Sequence, residues 1–151
     1  MPTIRQTEVL NAPPERVWEF VTALRYLPVW MADVAAVREI STPQTAAGTT
    51  YTLVRRGRRD PETWIVADWE PPRRVRLSEV RRHIQLVLEL EPDAQGTRLS
   101  MQQEWPSNRG LLDRLLPPTA RRQALERSLA RLKELVALNQ DIKLLYGMGD
   151  E

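Results

Sequence analysis

The chain has no cysteine. That excludes disulfides, a thiol nucleophile and thiolate metal sites, and it is compatible with a reducing compartment. Histidine occurs once, as His83, so there is no His pair, no HExxH and no Cys/His cluster for zinc. A Ser-His-Asp arrangement would have to use that single imidazole, and no GxSxG accompanies it. GxGxxG and P-loop patterns are missing too, so no metal and no cofactor is expected. No apolar run approaches the roughly 20 residues of a membrane span, and Met1–Asn11 lacks a signal-peptide core. A cytoplasmic protein without a transmembrane segment is the expectation. Phenylalanine also occurs only once, which makes the five tryptophans conspicuous.

Neither charge sign dominates. Lys and Arg number 22 against 20 Asp and Glu, a net charge of +2, and all but two of the basic residues are arginine. They are unevenly spread: Arg55 to Arg82 carries nine Arg against five acids, a local +4, and the remainder is −2. A solvated sheet edge accounts for this, with an anionic partner as the sharper alternative. Arg55-Arg56-Gly57-Arg58-Arg59 lacks interleaved aromatics and is followed at once by Asp60 and Glu62. It is therefore read as a solvated hairpin tip, and no nucleic-acid binding is expected. At 151 residues the chain is one domain, 1–151, with a 42% hydrophobic fraction that can bury about 68–70% of its unfolded surface.

The most regular stretch lies near the end. Leu125, Leu129, Leu132 and Val136 recur at helical steps and form one apolar stripe. Leu135, Leu138, Ile142 and Leu145 form a second beside it. Thr119 is placed to cap the start after two prolines and Gly147 to end the helix, giving a rod of about 42 Å. Such a wide apolar face needs a broad concave partner.

The preceding chain supplies one. Thr3–Leu10 is predicted as a strand, and Asn11-Ala12-Pro13-Pro14-Glu15 as a helix start, because proline suits the first turn and a carboxylate suits the dipole's positive end. Tyr26–Met31 breaks that helix and carries a second short one. Strands follow over Val34–Ile40, Thr49–Arg56, Glu62–Glu70, Arg74–Arg81, His83–Glu91 and Thr97–Trp105, separated by turn-rich segments; Leu111–Leu116 leads into the last helix. The strand from His83 is the clearest, since Ile84, Leu86, Leu88 and Leu90 alternate with Gln85, Glu89 and Glu91. Consecutive hairpin-linked strands and segregated helices predict an α+β fold.

Asn11-Ala12-Pro13-Pro14-Glu15-Arg16-Val17-Trp18, Tyr26-Leu27-Pro28-Val29-Trp30-Met31, Trp64-Ile65-Val66 through Glu70-Pro71-Pro72-Arg73-Arg74, and Gly96-Thr97-Arg98-Leu99 stand in a characteristic order. With the terminal helix, they resemble the START-like, helix-grip (SRPBCC) superfamily, which includes polyketide cyclase/dehydrase-like and lipid-transfer proteins. The resemblance covers nearly the whole chain. It implies a curved antiparallel sheet of about seven strands around a long C-terminal helix, with two short helices after the first strand. It also implies a hydrophobic cavity between sheet and helix whose mouth lies near the short helices. No shared catalytic set comes with it, because such a fold hosts binders, transporters and enzymes.

The candidate ligand contacts are Trp30, Tyr51, Trp64, Glu79, Met101, Gln103 and Trp105. Trp30 follows Pro28, which makes regular core helix unexpected there, and the resemblance puts it at the mouth. Trp64 shares a phase with Val66, although the opposite phase, Ile65, Ala67 and Trp69, is also apolar. Trp105 and Met101 share the phase of Leu99, which also carries Gln103 inward. Val75 and Leu77 carry Glu79 inward; a buried carboxylate there must be paired or protonated, whereas a surface ion pair with the nearby Arg81 and Arg82 is the simpler reading. Tyr51 serves equally as packing or as a hydroxyl donor, and His83 is read as a solvent-facing turn residue. The leading expectation is binding of a small, largely hydrophobic molecule in the internal cavity. A cyclase/dehydratase-type enzyme, with Glu79, Gln103 or Tyr51 polarising the substrate, and an interaction protein using the Arg-rich edge are the alternatives. The catalytic residues stay unassigned, and a homodimer is left open.

Overall fold

Strand parity builds the molecule. In the computed structural model, which describes residues 3–106 and 118–146, the alternating stretches become seven strands. These are β1 Thr3–Leu10, β2 Val34–Arg38, β3 Thr50–Arg55, β4 Glu62–Glu70, β5 Arg74–Glu79, β6 Gln85–Asp93 and β7 Gly96–Glu104. They form one antiparallel sheet in the order β1-β7-β6-β5-β4-β3-β2, so all but the first are ordered as sequential hairpins and β1 closes the far edge against β7. The sheet curls, and its concave face carries Tyr51, Leu53, Trp64, Val66, Val75, Leu77, Leu86, Leu88, Leu99 and Met101, all buried in one apolar cluster.

Two short helices follow β1, as the resemblance implied. Helix α1, Pro14–Val21, starts on proline with Glu15 in its first turn and buries Val17, Trp18 and Val21. A 3-10 turn over Leu24–Tyr26 leads into α2, Leu27–Trp30, a single turn that buries Leu27 and Trp30. Helix α3, Pro118–Tyr146, runs across the concave face and buries Leu125, Leu129, Leu132 and Val136 against it. That first stripe packs as its spacing predicts. Of the second stripe, Leu135 is half-buried against the core and Leu138 is exposed. Pro118 already lies within the helix, so Thr119 stands in the first turn rather than capping it. Leu111–Leu116 and Gly147 lie outside the described residues, as do the side chains of Ile142 and Leu145.

The turns at the β1 end fix the sheet to α1. A Cβ at Gly96, whose φ is +140°, would meet the Leu10 carbonyl and the Ala12 backbone, so only glycine permits this approach. Thr97 Oγ1 then donates to the Ala12 carbonyl at 2.7 Å.

The convex face explains much of the arginine excess. Arg76 Nε and Arg74 Nη1 reach Asp68 Oδ2 at 2.8 and 3.0 Å, Arg74 Nε reaches Glu89 at 3.4 Å, and Arg5 reaches Glu89 at 3.2 Å. These are cross-strand pairs rather than a bare sheet edge. The hydrogen bonds from Arg76 and Arg74 hold Asp68 down to a pKa of about 2. A carboxylate whose folded pKa lies below its unfolded value of 3.8 stabilises the fold above that value and loses the contribution as pH falls toward 2. Asp68→Asn should therefore lower the urea midpoint at pH 7 and match the native chain near pH 2; a constant gap across that window would show that the pairing is not responsible.

Candidate functional site

Between the concave sheet and the helices lies an internal cavity of about 30 Å³. Leu53, Trp64, Leu77 and Leu86 form its sheet wall, Leu27 and Met31 its α2 wall, and Leu125 and Ser128 its α3 wall. Tyr51, Gln103, Asp33 and Arg55 supply the polar groups at its rim. Register puts them together: Tyr51 opposes Trp64, and Leu77, Leu86 and Gln103 oppose one another in turn across β5, β6 and β7. The volume is that of about one water molecule, so in this state the walls are closed on one another.

Arg55 is the organising charge. It shares the inward phase of Tyr51 and Leu53, and its side chain is only 15% exposed. Its Nη1 donates to Asp33 Oδ2 at 2.6 Å and its Nε to Glu62 Oε2 at 2.9 Å. The other oxygen of Glu62 accepts the Trp64 indole N–H at 2.9 Å. Glu62 is itself buried, so a chain of charge-assisted bonds fixes the Trp64 ring against the cavity. Burial alone would lower the Arg55 pKa, but Asp33 and Glu62 outweigh it and raise it. Burial pushes the Tyr51 phenol far above its usual value, with Arg55 opposing and Glu62 adding to the shift. Tyr51 therefore stays protonated and acts only as a neutral hydrogen-bonding group.

Outside Arg55 the cavity meets a vestibule of about 160 Å³. Asp33, Arg55, Gln103 and Ala124 line both spaces, so they form the partition between them. Arg56, Arg58, Arg82 and Arg121 line the outer side. The Arg121 side chain is buried from α3, with its guanidinium 4.2 Å above the Trp105 ring.

Of the seven residues singled out from the sequence, Tyr51, Trp64 and Gln103 line the cavity. Trp105 stands one layer behind, beneath Arg121, and Met101 is fully buried in the core opposite Leu88. Trp30 is placed differently from the mouth position expected for it. Pro28 sits in the first turn of α2, where proline needs no partner for its missing N–H, and Trp30 is 0% exposed in the closed core with an indole N–H that finds no hydrogen-bond acceptor among the described residues. Glu79 is buried rather than engaged in a surface ion pair. Its carboxylate turns back to accept the Arg82 backbone N–H, which closes the β5–β6 turn through His83, an exposed residue with φ of 62°. Sequence reasoning misses Arg55 and Glu62, although alternation of Tyr51-Leu53-Arg55 and Glu62-Trp64-Val66 carries the signal. Among the described residues no group of three or more His, Cys, Asp or Glu is placed to hold a metal.

A separate apolar groove of about 230 Å³ runs between α1, α2 and α3, with Val17, Phe20, Val29, Leu135 and Val136 in its walls. It shares no residue with the internal cavity.

The sequence pattern of the family described as polyketide cyclase/dehydrase and lipid transport matches residues 1–137. Among curated proteins none matches the chain. Solved structures share the fold at low identity. The protein TTHA0849 of Thermus thermophilus superposes with a TM-score of 0.71 at 21% identity, covering 91% of this chain and 99% of its own. Protein NE0264 of Nitrosomonas europaea gives 0.72 at 17% identity, covering 92% and 96%. The Aha1 dimer of Colwellia psychrerythraea gives 0.65 at 15% identity, covering 90% and 96%. At these identities the likeness is one of fold alone.

Proposed function

The chain belongs to the polyketide cyclase/dehydrase and lipid-transport family, and on that premise we propose that it binds a small, largely hydrophobic molecule between the sheet and α3. The observation that carries this reading is the internal cavity, lined mainly by apolar side chains from the sheet, α2 and α3 with a few polar groups among them. Ligand sites commonly measure about 300–1,000 Å³, so a cavity of about 30 Å³ must widen as the ligand enters. Binding is then coupled to a population shift toward a state in which α2 and α3 stand off the sheet. α2 suits that role. It is one turn long, and the chain just after it is tied to α3 by the Ala32 N–H donating to Ser128 Oγ at 2.9 Å. The cyclase/dehydratase alternative gains no support from the geometry, because Tyr51 holds its proton, Glu79 closes a turn, and Asp33 and Glu62 are committed to Arg55. Among the described residues no helix is long and apolar enough to cross a membrane; with the absence of cysteine, this supports placing the protein in the cytoplasm.

Ala124 faces both the cavity and the vestibule, so Ala124→Phe fills the space a ligand needs. A neutral fluorescent probe such as N-phenylnaphthylamine should bind the native chain and lose roughly tenfold in affinity with the variant, about 1.4 kcal/mol, which should stay folded by circular dichroism although overpacking lowers its thermal midpoint. Unchanged affinity in Ala124→Phe combined with loss in Phe20→Ala would place the ligand in the outer groove instead.

A further inference from the structure

Family membership says nothing about the vestibule, yet its walls are chemically specific. Among the described residues that line it, five guanidinium groups face two carboxylates. Among the described residues both carboxylates, Asp33 and Glu62, form ion pairs with Arg55 and with no other arginine. Among the described residues no carboxylate lies within ion-pair distance of Arg56, Arg58 or Arg82, and Arg56 Nε reaches only the Ala32 carbonyl at 3.3 Å. Arg121 stacks its face on Trp105 and helps to wall the recess. The guanidinium edges of Arg56, Arg58 and Arg82 suit the paired oxygens of a carboxylate or phosphate. The first turns of α3, through Ala120, Arg121 and Ala124, border the same space and add the positive end of the helix dipole.

We propose that the vestibule is an anion site that takes the carboxylate or phosphate head of an amphipathic ligand whose apolar part enters the inner cavity; this rests on the binding reading given above. The partition of Asp33, Arg55, Gln103 and Ala124 places head and tail in adjoining spaces. Asp33 is the exchangeable partner of Arg55, because its side chain is 40% exposed against 7% for Glu62. An incoming oxyanion replaces Asp33 on Nη1 while Glu62 keeps Nε and the Trp64 indole in place. The recess is concave and of about 160 Å³, a space for a single head group and not for a nucleic-acid backbone.

Calorimetric titration of the native chain with octanoate, octyl phosphate, octanol and octylammonium tests this, alongside an Arg58→Ala/Arg82→Ala double variant. Both side chains are free of ion pairs among the described residues, so the variant keeps its fold, as thermal melting verifies. Both anions should bind at least about tenfold more tightly than octanol, and more weakly as salt rises. The double variant should weaken both anions by at least about threefold, because Arg55 is retained, without moving octanol itself. The tighter of the two anions identifies the head group. Octanol matching the anions, or an anion preference left undiminished by the double substitution, overturns the anion site and leaves apolar binding intact. If none of the four binds and the neutral probe does not either, the binding reading falls and the anion site with it.

Discussion

Arg55→Ala is expected to lower the unfolding free energy by about 3–5 kcal/mol in urea denaturation, the cost of leaving a buried carboxylate without its partner. The magnitude follows from where the charges sit. Glu62 has a side chain only 7% exposed, and Arg55 only 15%, so water cannot replace the lost guanidinium as it does for a surface pair. The same substitution frees Asp33, which is open enough to hydrate and adds little. Glu62→Gln introduced with Arg55→Ala should restore most of the loss, because the neutral amide keeps an acceptor for the Trp64 indole and removes the stranded charge. A single-variant loss below about 1 kcal/mol would put the pair in the class of solvent-exposed ion pairs and remove the reason for a fixed Trp64.

Leu132→Ala should cost about 2–5 kcal/mol. Leu132 is 0% exposed and Leu129 3%, and both lie midway along the stripe that α3 lays on the concave face. The loss combines the transfer of the removed methylenes with a cavity that a curled sheet cannot collapse to fill. Leu138→Ala is the control on the same helix. At 56% exposure it should stay within about 0.5 kcal/mol of the native chain. Equal small effects at both positions would mean that the sheet does not grip α3.

The architecture is legible because it depends on periodicity, and periodicity is written in single residues. Leu86, Leu88 and Leu90 alternate, the α3 stripe steps by three and four, and both patterns find their expected partners. What eludes reading depends on parity breaks and on side-chain choice. A register shift between Val66 and Asp68 moves Trp69 to the face of Trp64, opposite Val75, although strict alternation puts them on opposite faces. The shift is invisible to a period-two count. Its arginine neighbours draw Arg55 into the hairpin tip on paper, yet the tip begins one residue later and parity carries Arg55 inside. Alternation places Glu79 inward correctly, but only the turned backbone at His83 reveals that its carboxylate bonds the chain itself. Trp30 misleads because a proline two residues earlier argues against regular helix, when the first turn of a helix accepts it.

The central claim is that a small apolar molecule enters between the sheet and α3, and the indole N–H resonances of the five tryptophans report on it directly. Trp64 forms a cavity wall, whereas Trp18 and Trp69 pack together at 5.0 Å toward the other end of β4. Titration with neutral octanol, followed by the indole N–H signals in a nitrogen–proton correlation spectrum, should shift Trp64 progressively and leave Trp18 and Trp69 in place. A Trp64 resonance that stays fixed at saturating octanol would contradict the claim.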